Sequence, residues 1–240
     1  MIRLYILCLW DKMYKIISIE GNIGSGKTTL LHHLKIFCKD EKNIFFLGEP
    51  IDDWNSIRDK KGHSMIQKFY NDQGTYAFSF QIMAYLSRLR RLKEIIDRHR
   101  DDNIIIITER SLYTDKYIFA KMLYHQGKLE DVEHQIYLQL FDQFSDEYPL
   151  SDIIYVRTDP IICSARIKKR GRAGEEDIPL DYLVECGQYH DEYVKAKMKF
   201  IYAVHIIDGN IDIELNKHIL NSWVHRIKGI IGLDRSEPSP

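Results

Sequence analysis

Residues 21–28 read Gly21-Asn22-Ile23-Gly24-Ser25-Gly26-Lys27-Thr28, a fit to G-x-x-x-x-G-K-[ST]. Glycines at this spacing let successive backbone N–H groups curl around a phosphate chain. The helix expected to start here, "TTLLHHLKIF", adds the favourable partial positive charge of its N-terminus. Lys27 then suits the β- and γ-phosphates of a nucleoside triphosphate, and the Thr28 hydroxyl suits Mg²⁺. Thr29 completes the turn. The motif says that a nucleotide is bound, and its surroundings must say what is done with it.

Two carboxylates follow apolar runs. Glu49 closes "FFLGEP" and Glu109 closes "IIIITER". In open α/β sheets ligands gather beyond the carboxyl ends of the strands, so both acids are expected to face the loop. Glu109 directly after a buried run suits the metal, and Glu49 suits the base for an attacking hydroxyl. Arg110 would neutralise phosphate charge or orient that base. Further on, "CSARIKKRGRAGEEDIP" gathers Arg166, Lys168, Lys169, Arg170 and Arg172. Planar guanidinium groups match phosphate geometry. A lid of this kind, about 166–178, closes over phosphates and excludes water. A switch or motor has no need of it, whereas an enzyme transferring phosphate to a small molecule does. In "FSFQIMAYLSRLR", Gln81 and Arg88 are seven apart and share one face of a helix. Gln81 offers one donor and one acceptor, the pattern of a nucleobase edge. Trp54, Tyr70, Tyr76, Phe78 and Phe80 surround it in sequence and offer ring faces or plain core.

Five β-branched runs must position these residues: Tyr14–Glu20, 44–49, 104–108, 153–157 and 204–208. "IIII" at 104–107 is apolar on both faces, as in a central parallel strand. Helical patterns lie between them, the longest over 79–100 and another over 130–144. Alternating strands and helices predict a doubly wound α/β fold: a five-stranded parallel sheet with helices on both faces and an arginine-rich lid. Residues 1–240 read as a single domain. Residues 1–12 read as an extension ahead of a natural start at Met13, and 235–240 as a flexible tail.

Composition narrows the classes. Lys and Arg number 34 against 35 Asp and Glu, which disfavours a dedicated nucleic-acid binder. No apolar run reaches the ~18 residues of a membrane span. Cys8, Cys38, Cys163 and Cys186 have no metal-ligand spacing and read as reduced intracellular thiols.

Taken in order, "EGNIGSGKTT", "GEPIDDW", "FSFQIMAYLSRLR", "TERSLYTDKYIFA" and "RIKKRGRAGEEDIPLDYL" resemble the deoxyribonucleoside kinase family, in its deoxycytidine and deoxyguanosine kinase branch. The resemblance runs from Tyr14 to about Gly209. It implies ATP with Mg²⁺ as donor, held by the loop, Thr28, Glu109 and the lid residues Arg166, Arg170 and Arg172. It implies Glu49 as general base for the 5′-hydroxyl, with Arg110 beside it. Gln81 would pair with the base edge, and Trp54 and Phe80 would pack around it. Tyr70 and a lid glutamate would hold the sugar 3′-hydroxyl. That glutamate falls on Glu175, with Glu176 one residue away; "AGEED" departs from the family's usual Asn-Glu-Glu. Arg88 and Asp115 form a charged pair like that of the kinases for deoxycytidine and purine deoxynucleosides, which implies preference for those over thymidine. The resemblance further implies a homodimer in nucleotide salvage and a cytoplasmic location, with the mitochondrion as alternative. Two other readings share parts of the pattern. A nucleoside monophosphate kinase would need an anchor for its acceptor's own phosphate, and Glu49 poised for a hydroxyl proton argues against it. A non-catalytic structural subunit would lack part of the catalytic set, which is complete here.

Overall fold

A computed structural model describes residues 13–172, 174–175, 177–199 and 203–233. The extension at 1–12, the tail at 235–240, and Ala173 and Glu176 of the lid lie outside the described residues.

The chain runs β1 (Tyr14–Glu20), α1 (Lys27–Phe37), β2 (Ile44–Leu47), α2 (Ile51–Ser56), α3 (Met65–Asn71), α4 (Gln73–Arg98) and β3 (Ile104–Glu109). After β3 comes α5 (Leu112–Thr114), which passes through a π-helical turn, Asp115–Ala120, into α6 (Lys121–His125). Next are α7 (Asp131–Phe144), β4 (Asp152–Arg157), α8 (Pro160–Arg170), α9 (Leu180–Met198), β5 (Ala203–Asp208) and α10 (Lys217–Ile230).

The five strands form one sheet in the order β2-β3-β1-β4-β5. All pairs are parallel: Tyr14 lies opposite Ile104, Ile17 opposite Asp152, Ile44 opposite Ile105, and Asp152 opposite Ala203. The expected doubly wound sheet is therefore present. Alternate side chains feed two cores, as the two-residue period of a strand requires. Ile16, Ile104, Ile106 and Ile153 meet Tyr85, Leu89, Tyr137 and Leu183 on one face. Ile17, Ile19, Ile107 and Ile154 meet Leu30, Leu34, Val224 and Ile227 on the other.

Two boundaries differ from the sequence expectation. β2 stops at Leu47, because Gly48 and Pro50 follow and Pro50 cannot donate to a ladder. Glu49 therefore sits in the turn beyond the strand rather than at its end. α4 begins at Gln73, earlier than 79, because the Asp72 side chain caps it by accepting from the Thr75 N–H at 3.1 Å.

Because β3 lies between β1 and β2, the turns after these three strands emerge side by side. The phosphate loop, Glu49 and Glu109 thus share one end of the sheet. A buried clasp fixes this end. Glu20, the last residue of β1, accepts from Thr114 Oγ1 at 2.6 Å and Ser111 Oγ at 2.9 Å, and also from Ser18 Oγ. Ser111 in turn caps α5. The clasp ties the strand before the phosphate loop to the turn after Glu109.

Candidate active site

The loop after β1 has the backbone the motif requires. Gly24 and Gly26 adopt φ +76° and +104°, a region that side-chain-bearing residues rarely enter. A Cβ on Gly24 would stand 2.6 Å from the Cys163 carbonyl oxygen of α8, so the loop and the lid helix meet in backbone contact there. Lys27 is buried, and its Nζ donates to the Asn22 carbonyl at 2.7 Å. Burial and the nearby Arg110 lower its pKa to about 8, against the pull of Glu109 and Glu49. Asn22 Nδ2 donates to the Leu183 carbonyl of α9 at 2.7 Å and anchors the loop from behind.

A cavity of about 530 Å³ opens beyond the loop. Of the residues singled out from the sequence, its walls carry Ile23, Gly24, Gly26, Lys27, Thr28, Thr29, Glu49, Trp54, Tyr70, Phe80, Gln81, Arg88, Glu109, Arg110, Asp115, Arg166, Arg170, Arg172 and Glu175. Gly21, Asn22 and Ser25 support the loop from outside the cavity wall. Tyr76 and Phe78 stand elsewhere: the Tyr76 ring takes the Lys68 ammonium at 4.7 Å, and Phe78 lines an outer groove.

At the cavity's polar end Thr28 Oγ1 donates to Glu109 Oε1 at 2.7 Å. Burial and the neighbouring Glu49 raise the Glu109 pKa, while Lys27 opposes them. A hydroxyl and a carboxylate together are hard oxygen donors of the kind Mg²⁺ takes. Glu49 receives Arg110 Nε at 2.9 Å and Arg88 Nη2 at 3.0 Å. Burial pushes its carboxyl up, but Arg110, Arg88 and Lys27 outweigh that and hold it at about 2. Glu49 is thus a carboxylate at any physiological pH.

Arg110 is the one described non-glycine residue with positive φ, at +65°. Backbone strain of this sort costs about 1–3 kcal/mol and gathers where a side chain must be aimed. Here the Arg110 N–H still donates to the Ile19 carbonyl at 3.0 Å while the side chain turns into the cavity. Its guanidinium lies over Phe119 at 4.7 Å.

The apolar end is built from α2, α3 and α4. Phe69 and Phe80 stack at 4.4 Å, and Trp54 meets Phe80 edge-on at 5.5 Å. Gln81 is 2% exposed, and its Oε1 has no hydrogen-bond partner. Arg88 Nε stands 3.3 Å from Asp115 Oδ2, and neither atom has a well-directed hydrogen bond. Burial raises the Asp115 carboxyl to about 6, with Arg88 and Arg110 opposing. Buried polar atoms without partners are uncommon and mark a surface made for a ligand's polar edge. The π-helical turn brings Asp115 and Phe119 to the same cavity, and such turns recur at functional sites.

The lid helix α8 ends at Gly171 in the left-handed conformation, φ +59°. Arg172 follows and donates to Glu175 Oε1 at 3.0 Å, while Arg170 donates to Glu175 Oε2. Arg166 behaves differently from the other lid arginines. Its Nη1 donates to the carbonyls of Gly209 at 2.8 Å and Ser25 at 3.2 Å, which fastens the lid's base to the phosphate loop and the turn after β5.

Sequence reasoning missed Phe69, Phe119 and Tyr182 in the wall, and His190 behind Arg110, where Nη1 lies 3.2 Å from His190 Nε2. The deoxynucleoside kinase family model matches residues 17–232. The chain belongs to the deoxynucleoside kinase family. It is 36% identical over 206 residues to deoxycytidine kinase 2 of Gallus gallus, covering 78% of this chain and 77% of that protein. Human deoxycytidine kinase is 31% identical, over 89% of this chain and 90% of its own. Human mitochondrial thymidine kinase 2 is 33% identical over 75% of this chain and 64% of its own. As a deoxynucleoside kinase the chain is a phosphotransferase of nucleotide salvage. The sheet, loop and cavity described above are the parts such a kinase needs. Among the described residues, no helix is long and apolar enough to cross a membrane.

Proposed function

We propose that this kinase transfers the γ-phosphoryl group of ATP to the 5′-hydroxyl of deoxycytidine or a purine deoxynucleoside in preference to thymidine. The observation that carries the preference is the buried Gln81 Oε1, which has no hydrogen-bond partner, beside the Arg88–Asp115 ion pair, whose facing Nε and Oδ2 atoms are 3.3 Å apart without a well-directed hydrogen bond. Gln81 and the Arg88–Asp115 pair together offer donors and acceptors to a cytosine or purine edge. A thymine would bring its methyl group against the charged pair. Desolvating that pair without a hydrogen-bonding partner is costly.

In this reading the base lies between Phe80 and Trp54, and Tyr70 and Glu175 receive the sugar. Glu49 accepts a hydrogen bond from the 5′-hydroxyl and takes its proton as the oxygen reaches phosphorus. Its carboxyl, held at about 2, is a weak base. That suffices for a loose transition state, in which the hydroxyl loses its proton late and positioning dominates. Arg110 and Lys27 balance charge on the transferring group, and Arg170 and Arg172 turn from Glu175 to the donor phosphates as the lid closes. Thr28 and Glu109 would hold Mg²⁺, which when bound neutralises phosphate charge.

We further infer a single kinase domain, an intracellular and foremost cytoplasmic location, and a homodimer. Buried free thiols at Cys38, Cys163 and Cys186 suit a reducing compartment. Val132 and Ile136 of α7, 59% and 53% exposed, together with Leu86 of α4, supply an apolar face for a second copy.

The test is phosphoryl transfer from MgATP to each of the four deoxynucleosides and to dTMP. Monophosphate from deoxycytidine or a deoxypurine, with kcat/KM at least tenfold above thymidine, is the expected outcome. Comparable thymidine turnover would remove the preference, and turnover of dTMP alone would remove the 5′-hydroxyl acceptor.

A further inference from the structure

Behind Arg110 stands a group that the reaction as described leaves unused. His190 lies within α9, fully buried. Its Nδ1 is 2.7 Å from the Cys186 carbonyl oxygen, one turn earlier in the helix. Its Nε2 is 3.2 Å from Arg110 Nη1. A carbonyl only accepts and a guanidinium only donates. Both contacts therefore select one species: a neutral ring with its proton on Nδ1 and its lone pair aimed at Arg110. Burial and the adjacent Arg110 push the imidazole well below its ordinary pKa, outweighing the backbone groups of Cys186 and Gly21, which favour the charged ring.

The ring is fixed by its neighbours. Tyr155 of β4 lies parallel to it at 6.3 Å, and Phe119 meets it edge-on at 6.2 Å. Phe119 also underlies the Arg110 guanidinium. The guanidinium is thus held by Glu49 at Nε, by His190 at Nη1 and by the Phe119 ring on one face. Both arginine bonds to Glu49 fall on Oε1, which leaves Oε2 for an arriving hydroxyl. His190 and Phe119 hold the far end of Arg110 independently of that carboxylate.

We propose that His190 is a positioning residue for phosphoryl transfer, whose Nε2 lone pair holds the Arg110 side chain in its working orientation beside Glu49. The same helix already braces the phosphate loop through Asn22 and Leu183. Through His190, α9 ties the acceptor side of the site to that brace. The inference rests on Arg110 acting at the transferring group, as proposed above.

The test is steady-state kinetics of His190→Leu, His190→Gln, His190→Asn, Arg110→Lys and the double variant Arg110→Lys/His190→Leu. A misplacement of about 1 Å near the chemistry can cost ~100-fold. His190→Leu should lower kcat by ~10–100-fold, with the deoxynucleoside KM changed by no more than about twofold. Glutamine carries its oxygen to where Nε2 stands, whereas asparagine stops short near Nδ1. His190→Gln should therefore keep kcat within about fivefold of the parent, and His190→Asn should not. Once Arg110 is lysine, removing His190 should cost little more, because coupled residues are not additive. Equal kcat losses in the Gln and Asn variants, or full additivity in the double variant, would overturn the proposal. Should His190→Leu not fold, the Gln/Asn comparison still decides. Unchanged kcat in Arg110→Lys would instead remove the role given to Arg110, a distinct failure.

Discussion

Two arginines stand over the Glu49 carboxylate, at 2.9 and 3.0 Å, and this governs what its removal should do. Glu49→Gln keeps the shape and deletes the proton acceptor. It should lower kcat by ~10²–10⁴-fold, the usual worth of a positioned general base, while deoxynucleoside affinity by calorimetry changes little. Unaltered turnover would mean that another group takes the proton. Asp115 has the opposite character: burial raises its carboxyl to about 6, so it is an anion at neutral pH and gains a proton below that. As an anion it only accepts hydrogen bonds. As an acid it loses that acceptor and part of its hold on Arg88. The ratio of kcat/KM for deoxycytidine over thymidine should therefore fall as pH drops from about 7.5 to 5.5, and Asp115→Asn should flatten the profile. A ratio constant across that range would remove Asp115 from base selection. The same shift acts on the fold. A carboxyl raised from 3.8 to about 6 contributes stability that is present below the lower value and lost as pH rises through the higher one.

At the scale of elements, the phosphate loop and the lid helix meet where Gly24 faces Cys163. Gly24→Ala would combine a Cβ 2.6 Å from a carbonyl oxygen with φ +76°, so α8 must retreat. A cost of ~2 kcal/mol, hence a Tm lower by about 4–8 °C, and weaker ATP binding are expected. A thermal melt at parental Tm would show that the contact is slack. This junction also marks how far sequence reading reached. Lys27, Thr28, Glu49 and Glu109 were legible because a phosphate loop has a fixed local order and strand ends in a parallel sheet share a side. Gln81 and Arg88 were legible through the helical period. Arg166 was legible as a lid residue, but its fastening role was not: only the tertiary path brings the Ser25 and Gly209 carbonyls to its guanidinium. Glu20 and His190 were missed for a related reason. A polar residue at a buried position of a strand or helix looks like any satisfied core group until its partners are known, and those lie far along the chain. Asp72 was a readable cap, but Gly74 and Thr75 are weak helix formers and masked the start of α4.

For the molecule as a whole, the apolar stripe of Val132 and Ile136 predicts association. The kinase should sediment at twice its chain mass at micromolar concentration, and Val132→Glu/Ile136→Glu should sediment at the chain mass with Tm nearly unchanged, since both positions are exposed. A parent that sediments at the chain mass at tens of micromolar would end the dimer proposal. The strand order has a further consequence, for synthesis. β1 is made first, yet its neighbours are β3 and β4, so Tyr14 waits for Ile104 and Ile17 for Asp152. β2 waits as well, because its partner is also β3. At cellular elongation rates the strand that carries the phosphate loop therefore leaves the ribosome on the order of ten seconds before its first partner. Through that interval its Ile-rich edges are open to other nascent chains. The phosphate loop is therefore backed on both sides of its strand only once β4, in the second half of the chain, has been made.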